Sequence, residues 1–383
     1  MKRSFFKILF MVLMIMQVND KALLGQSPDG KYNSLNADAS ASEYDYKLVW
    51  SDEFNTEGAI DTTKWFHQTR LPAQGSWYNN EIQHYTNRVD NSFNHAGFLS
   101  IVAKKEEFTD QGYTKQYTSA RLNSKFAFTY GIVEIRAKLP FGAGTWPAMW
   151  MLGKNVRENG GYWYTQGFGT TGWPACGEID IMEHWGTNQN YVSSAIHTPS
   201  SYGATVNKGG RTVPDASTAF HIYKMVWTLE QLVFSIDDVV HYTYHPVEKN
   251  DNTWPFDKEL YILLNVAILP TITADFNESS LALDYVRVYQ DSTITSTHVA
   301  DSQNFTYFPN PFRNEITIDL GESPDQEIVM KIYSSDARLV KTYQFPDPGH
   351  IITLENLGNL SNGLYIISYV LNNKLYSYRV AKE

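Results

Sequence analysis

From Lys47 onward the chain is a succession of short runs rich in Val, Ile, Phe, Tyr and Trp, separated by Gly, Asn, Asp and Pro. The runs fall at 98–103, 126–139, 178–183, 191–197, 221–227, 232–236, 260–266 and 283–290. Several alternate with period two. In one of them Ile132, Glu134, Arg136 and Lys138 take turns with Val133, Ile135, Ala137 and Leu139, which places one buried and one outward face on the same strand. Many short strands with few helical stretches predict an all-β sandwich. A second strand pattern follows at 315–320, 328–333, 339–343, 363–371 and 374–380, read as a separate small β module. Polar, aperiodic stretches precede each module. The expected organisation is therefore a leader (1–26), a linker (27–44), a large β domain (45–290), a linker (291–304) and a small β domain (305–383).

The leader reading rests on Lys2 and Arg3 ahead of an apolar run from Phe5 to Val18, broken by Lys7 and Gln17, with cleavage near Gly25–Gln26. Such a run is short for a bilayer span and fits an export signal. No cysteine follows it, which argues against a lipid anchor, and no other membrane span is expected. Charge changes the picture of partners. A net charge of −10 with no basic cluster argues against nucleic acid and anionic lipid, and favours a neutral substrate. The single cysteine, Cys176, rules out a disulfide within the chain and argues against a cysteine metal site, so export without disulfides points to a bacterial source. Aromatic residues make up 14% of the chain, including 10 Trp and 25 Tyr. These rings either pack within sheets or line a cleft that stacks on sugar faces.

The segment Gly177-Glu178-Ile179-Asp180-Ile181-Met182-Glu183 holds three carboxylates in six residues. On a regular strand Glu178 and Asp180 share a face, and Glu183 falls on the other because its offset from Glu178 is odd. A one-residue β-bulge around Met182 restores parity and brings all three to one side. Crowded carboxylates repel, so one holds its proton near neutral pH while another is ionised. Glycosidic cleavage needs that division: an acid for the leaving oxygen and an anion for C1. Five regular steps span roughly 16 Å, whereas a retaining pair needs carboxyls about 5–5.5 Å apart, so the strand must bend toward the cleft. The alternative is a solvated acidic strand face, which the apolar Ile179 and Ile181 and the flanking Trp173 and Trp185 disfavour.

The run from Gly172 to His184 resembles the active-site strand of bacterial laminarinases in glycoside hydrolase family 16, in the Glu-x-Asp-x-x-Glu form. Further likenesses are Trp50-Ser51-Asp52-Glu53-Phe54, Tyr78-Asn79-Asn80-Glu81, Ser119-Ala120-Arg121-Leu122, Tyr130-Gly131, Thr145 to Gly153, and Asp284 to Tyr289. The resemblance implies a β-jelly-roll of two curved antiparallel sheets with a cleft across the concave face. It also implies a secreted, monomeric enzyme that cuts internal β-1,3 bonds of laminarin-like β-glucans by retaining double displacement. Glu178 is then the nucleophile, Glu183 the general acid/base, and Asp180 the residue that hydrogen-bonds the nucleophile. Within the same family the alternatives are a mixed-linkage β-1,3/1,4-glucanase and a galactan hydrolase; outside catalysis, the alternative is a β-glucan-binding protein.

Trp146 and Trp150, four residues apart, share a strand face. The resemblance places Trp146 against a sugar on the non-reducing side of the cut, with Trp150 either in the cleft or in the core. Asn79 and Arg121 match positions that hold sugar hydroxyls, and His197, ending the next strand, is aimed at the leaving-group side or is structural. Trp173 and Trp185 bracket the motif and line either rim. No cofactor is expected for catalysis. A structural Ca²⁺ is implied at Glu53, Gly97 (through its carbonyl) and Asp284. Two departures bear on specificity: a long Gly-rich loop at 154–171, whose Tyr162, Trp163, Tyr164 and Phe168 either wall the cleft or pack the loop on itself, and Ile268-Leu269-Pro270, where a glycine pair is often found. The C-terminal module, with Phe308-Pro309-Asn310-Pro311-Phe312 and Asn362-Gly363-Leu364-Tyr365, looks like the sorting domain of the Bacteroidetes type IX secretion machinery. Its lack of Trp argues against a sugar-binding module.

Overall fold

The computed structural model describes residues 46–72, 75–291, 306–321, 323–334, 339–371 and 374–383. The leader (1–26) and the first linker (27–44) lie outside these residues, as does 291–304 apart from Asp291.

Two curved sheets face each other in the large domain, the jelly-roll expected from the strand pattern. The concave sheet has seven strands, numbered in chain order: β1 (Trp65–His67), β2 (Arg121–Phe128), β3 (Thr145–Gly153), β4 (Glu178–His184), β5 (Tyr191–His197), β6 (Lys208–Thr212) and β7 (Leu260–Ile268). Their spatial order is β6-β5-β4-β3-β7-β2-β1, all neighbours antiparallel. The second sheet has ten strands, centred on Gly131–Lys138, Glu278–Asp291, Phe98–Asp110 and His221–Trp227. Its pairs are antiparallel apart from the short His84–Tyr85 pair with Tyr113–Ser119.

Period-two alternation decides which side chains fill the space between the sheets. In Gly131–Lys138, Val133, Ile135 and Ala137 enter the core, and Glu134 and Arg136 take the outer face. There the charges are met across strands: Glu134 accepts from the Tyr285 hydroxyl at 2.8 Å and lies 3.7 Å from Lys224, and Arg136 pairs with Asp284. Opposite charges on neighbouring strands stabilise a sheet face that would otherwise repel. In β3, Met149 and Met151 are fully buried in the same core, which turns Trp146, Ala148, Trp150 and Leu152 to the concave face.

The loop at 154–171 covers part of that concave face. Leu152, Val156, Cys176, Tyr261 and Leu263 form a second apolar cluster beneath it, with Trp150 and Trp163 against its edge. Burial pushes the Cys176 thiol up to about 12, so it serves as an inert packing group. The loop carries a short helix, Tyr162–Thr165, whose first N–H is accepted by the Asn123 side chain at 3.0 Å. Its aromatics are used for packing. Tyr162 meets Phe66, Trp163 donates to the Ser124 carbonyl and meets Phe168, and Tyr164 lies over Gly169.

The C-terminal module has its own core. A three-stranded sheet (Thr306–Phe308, Ile316–Asp319, Ile351–Leu354) and a four-stranded sheet (Leu339–Phe345, Ile328–Ser334, Gly363–Leu371, Lys374–Lys382) contribute Phe312, Ile316, Ile318, Met330, Ile332 and Ile367 to it. Among the described residues no helix is long and apolar enough to cross a membrane.

Candidate active site

β4 carries the irregularity that the carboxylate spacing requires. Asp180 pairs with Trp150 of β3 and Ala195 of β5, and the next concave-facing residue, Glu183, pairs with Ala148 and Ser193. Three steps on β4 therefore oppose two on each neighbour, which is a one-residue bulge. The extra residue is absorbed by Ile181 and Met182, both buried in the core with Ile179. Core burial of two consecutive apolar side chains drives this break in alternation, and it returns Glu183 to the face of Glu178 and Asp180. The Ile181 carbonyl at the bulge accepts from the Ser194 hydroxyl at 2.7 Å, and Ser194 is in turn 2.9 Å from His241 Nε2 on the opposite sheet. The chain enters β4 through Gly177, whose φ of +79° favours glycine and whose absent side chain leaves room for the Phe256 ring.

The three carboxyls have distinct partners. Trp173 donates its indole N–H to Glu178 Oε2 at 2.8 Å, and Trp146 donates to Glu183 Oε1 at 3.1 Å. His197 Nε2 lies 3.1 Å from Asp180 Oδ2 and 3.6 Å from Glu178 Oε1. The Gly203 N–H donates to His197 Nδ1 at 3.1 Å, which places the ring proton on Nε2, facing the carboxyls. Burial raises Glu178 well above the ordinary glutamate range, with repulsion from Asp180 adding to it; His197, chiefly, and the Trp173 hydrogen bond oppose the rise. Burial pushes Asp180 upward as well. Burial, then Asp180, pushes Glu183 up to about 8, so this carboxyl keeps its proton at neutral pH. One ligand-type atom from each of Glu178, Asp180 and His197 lies within 4.8 Å of the others, the only such group of three among the described residues.

A cavity of about 360 Å³ opens beside the glutamates. Its walls include Glu178, Glu183, Trp146, Trp150, Trp173, Asn79, Arg121, Tyr78, Asn265 and Glu158. Convergent carboxyls, one of them held protonated, in an aromatic-lined groove suit attack on a sugar acetal.

Residues 75–287 match the family described as glycosyl hydrolases family 16, more than half of the chain. The chain belongs to that family. A β-glucanase of Rhodothermus marinus is 36% identical over 67% of this chain and 89% of its own length. Among solved structures, LamA from Z. galactanivorans, a single-site variant in complex with laminaritriose and laminaritetraose, is 44% identical over 64% of this chain and 99% of its own, with a TM-score of 0.59. SCLam, described as a non-specific endo-β-1,3(4)-glucanase, is 36% identical over 68% of this chain and 99% of its own, with the same TM-score of 0.59. Residues 306–383 match the secretion system C-terminal sorting domain, so the hydrolase carries a Bacteroidetes-type export address.

The remaining candidate residues of the hydrolase sort as follows. Trp150 lines the cavity and donates to Asn265 Oδ1 at 2.7 Å, while its ring lies 4.8 Å from the Arg121 guanidinium. Arg121 is buried, donates to Gln68 at 3.0 Å and pairs with Glu158 at 2.8 Å. Asn79 sits in a turn with φ of 55° and reaches the cavity. Trp185 is stacked behind Trp146 at 5.5 Å, and Trp173 stands on the rim, 44% exposed. His197 faces Asp180 and Glu178 rather than open cleft. The loop reaches the cavity through Val156, Arg157 and Glu158 instead of its aromatics.

The expected calcium ligands are arranged differently from an ion shell. The Glu53 carboxylate takes both Arg287 nitrogens at 3.0 and 2.8 Å, and Asp284 pairs with Arg136. Two guanidinium groups on these carboxylates oppose a divalent cation, so the side chains do not fit calcium as placed.

Three features escaped the sequence. Glu158 lay in a loop read for its aromatics, Asn265 was visible only as the start of a late strand, and Ser194 with His241 carries no motif at all.

Proposed function

We propose that the hydrolase cuts internal β-1,3 bonds of laminarin-like β-glucans with net retention. Glu178 attacks C1 as the glycosidic bond breaks, and Glu183 gives its proton to the leaving oxygen. Glu183, now a carboxylate, takes a proton from water; that water attacks C1 and releases Glu178. Asp180 shares the His197 N–H with Glu178, and His197 and Trp173 direct N–H groups at the nucleophile, opposing the rise that burial and Asp180 impose on it. The observation that carries this reading is the bulge at Ile181–Met182, which sets Glu183 on the same concave face as Glu178. Laminarin as substrate is supported by the 44% identity to the laminarioligosaccharide-bound LamA. Mixed-linkage cleavage is the rival reading, in keeping with SCLam.

The test is a product profile on laminarin, lichenan and agar, with the anomer first released followed by NMR. Laminarin should yield oligosaccharides of the β anomer. Faster cleavage of lichenan reassigns the linkage, initial α product overturns retention, and binding without reducing-sugar release overturns catalysis. Glu183→Gln should lose far more activity on polymer than on substrates with activated leaving groups, because only the former need a proton.

A further inference from the structure

Among the described residues the Glu183 carboxyl has one side-chain hydrogen-bond partner, the Trp146 indole at 3.1 Å. Trp146 is half-buried near the start of β3 and stacks on Trp185, with ring centroids 5.5 Å apart and 23° between the planes. Trp185 is also half-buried and follows directly on β4. Two half-buried rings on different segments stay face to face only if the backbone beneath each is fixed relative to the other.

One side chain joins those two backbones. Gln189 lies in the turn between β4 and β5. Its Oε1 accepts from the Gly142 N–H at 3.1 Å, and its Nε2 donates to the Pro140 carbonyl at 3.3 Å and to Ser217 Oγ at 2.5 Å. Ser217 gives its own proton to Pro140, which leaves its oxygen free to accept. A backbone donor on one side and two acceptors on the other fix which way the amide faces. The Gln189 carbonyl accepts from His184 Nε2 at 2.8 Å, next to Glu183. Gly142, held by the amide, is itself bonded to Thr145: its carbonyl accepts from the Thr145 N–H at 3.1 Å and hydroxyl at 2.8 Å, one residue before Trp146. On the other side the Gly142 carbonyl rests directly on Gly186, one residue after Trp185, where an added Cβ would meet it at 1.8 Å.

We infer that Gln189 is a positioning residue for the acid/base: by fixing the 140–144 loop to the turn after β4 it sets the Trp146–Trp185 stack, and so aims the Trp146 N–H at Glu183. This rests on the reading of Glu183 as the acid. An indole N–H on the carboxyl favours its anion, against burial and Asp180. The charged or titratable groups that face Glu183 are Asp180 and Glu178 on its own strand, His197 of β5 and Lys208 of β6. None of them is a hydrogen-bond partner of Gln189, so the route from the amide to the carboxyl runs through the indole.

Gln189→Met keeps the side-chain length and removes the three amide bonds. The basic limb of its kcat/KM profile on laminarin should move to higher pH by about half a unit or more, and the plateau should fall roughly three- to tenfold. In a Trp146→Phe background the same substitution should move the limb no further, because the indole it acts through is gone. The circular-dichroism couplet of stacked indoles, which Trp146→Phe removes, should weaken in Gln189→Met, a readout that needs no activity. Ser217→Ala takes one anchor from the amide and should move the limb the same way by less; it decides the matter if Gln189→Met does not fold. A limb that neither variant moves, an unchanged couplet, or an equal shift in the Trp146→Phe background overturns the role and leaves the hydrolase reading standing. A wild-type profile with no basic limb overturns Glu183 as the acid, and this inference with it.

Discussion

The Trp173 indole donates to Glu178 Oε2 at 2.8 Å from a position on the cleft rim. This bond favours the anion, against burial and against Asp180. Trp173→Phe keeps an aromatic ring and removes the donor, so Glu178 should bind its proton more tightly. The acid limb of the kcat/KM profile should move to higher pH, and the plateau should fall by roughly tenfold or more. A profile whose acid limb stays at the wild-type position rules out this role.

Glu183 sets a stability cost that activity requires. Its carboxyl is raised from 4.5 in a free chain to about 8 in the folded protein, first by burial and then by Asp180. Between those values the unfolded chain has lost a proton that the native state keeps, so unfolding releases a proton and stability falls as pH rises. Glu183→Gln removes this dependence. Its Tm should exceed that of wild type most at pH 8, with the gap closing as pH falls toward 4.5. Thermal melts across that window, in which the gap stays constant or grows toward acid, would contradict the assignment.

What could be read from the sequence followed from local rules. Alternation placed Val133, Ile135 and Ala137 inside, and the odd offset between Glu178 and Glu183 demanded the bulge that Ile181 and Met182 provide. Contacts between distant segments left no such mark. Arg121 and Glu158 are 37 residues apart, and the glutamate lies in an aperiodic loop. His197 could be placed at a strand end, but its tautomer depends on the Gly203 N–H from a turn. The calcium expectation came from resemblance at Glu53 and Asp284, whereas the chain supplies Arg287 and Arg136 to those carboxylates.

Ser194 is the sole side-chain partner of the bulge carbonyl of Ile181 among the described residues, and it is fully buried. The serine proton goes to Ile181, so His241 must donate through Nε2, and burial pushes that histidine down to about 4, which keeps it uncharged. Ser194→Ala takes from the carbonyl its side-chain donor and from the imidazole N–H its acceptor, at about 1–3 kcal/mol. It should also lower kcat more than it raises KM, because the bulge sets where Glu183 points. Ser194→Thr restores the hydroxyl and should recover most of both. Loss of stability with an unchanged kcat would make Ser194 a packing residue alone.

Arg121 and Glu158 face each other with side chains only 4% and 7% exposed. Burying both charges is costly, and their attraction offsets that cost only while both are present. The arginine is also held between the Trp150 ring at 4.8 Å and the Trp77 ring at 5.5 Å, so little of it reaches the cavity water. Glu158→Ala should therefore destabilise the domain by about 3–5 kcal/mol, since it leaves an uncompensated buried cation. Arg121→Met combined with Glu158→Met removes both charges and should recover most of that loss while still weakening substrate binding, because both residues line the cavity. Denaturant melts of the two proteins decide the matter: if the single variant unfolds at the same denaturant concentration as wild type, the loop is not held to the sheet by this pair.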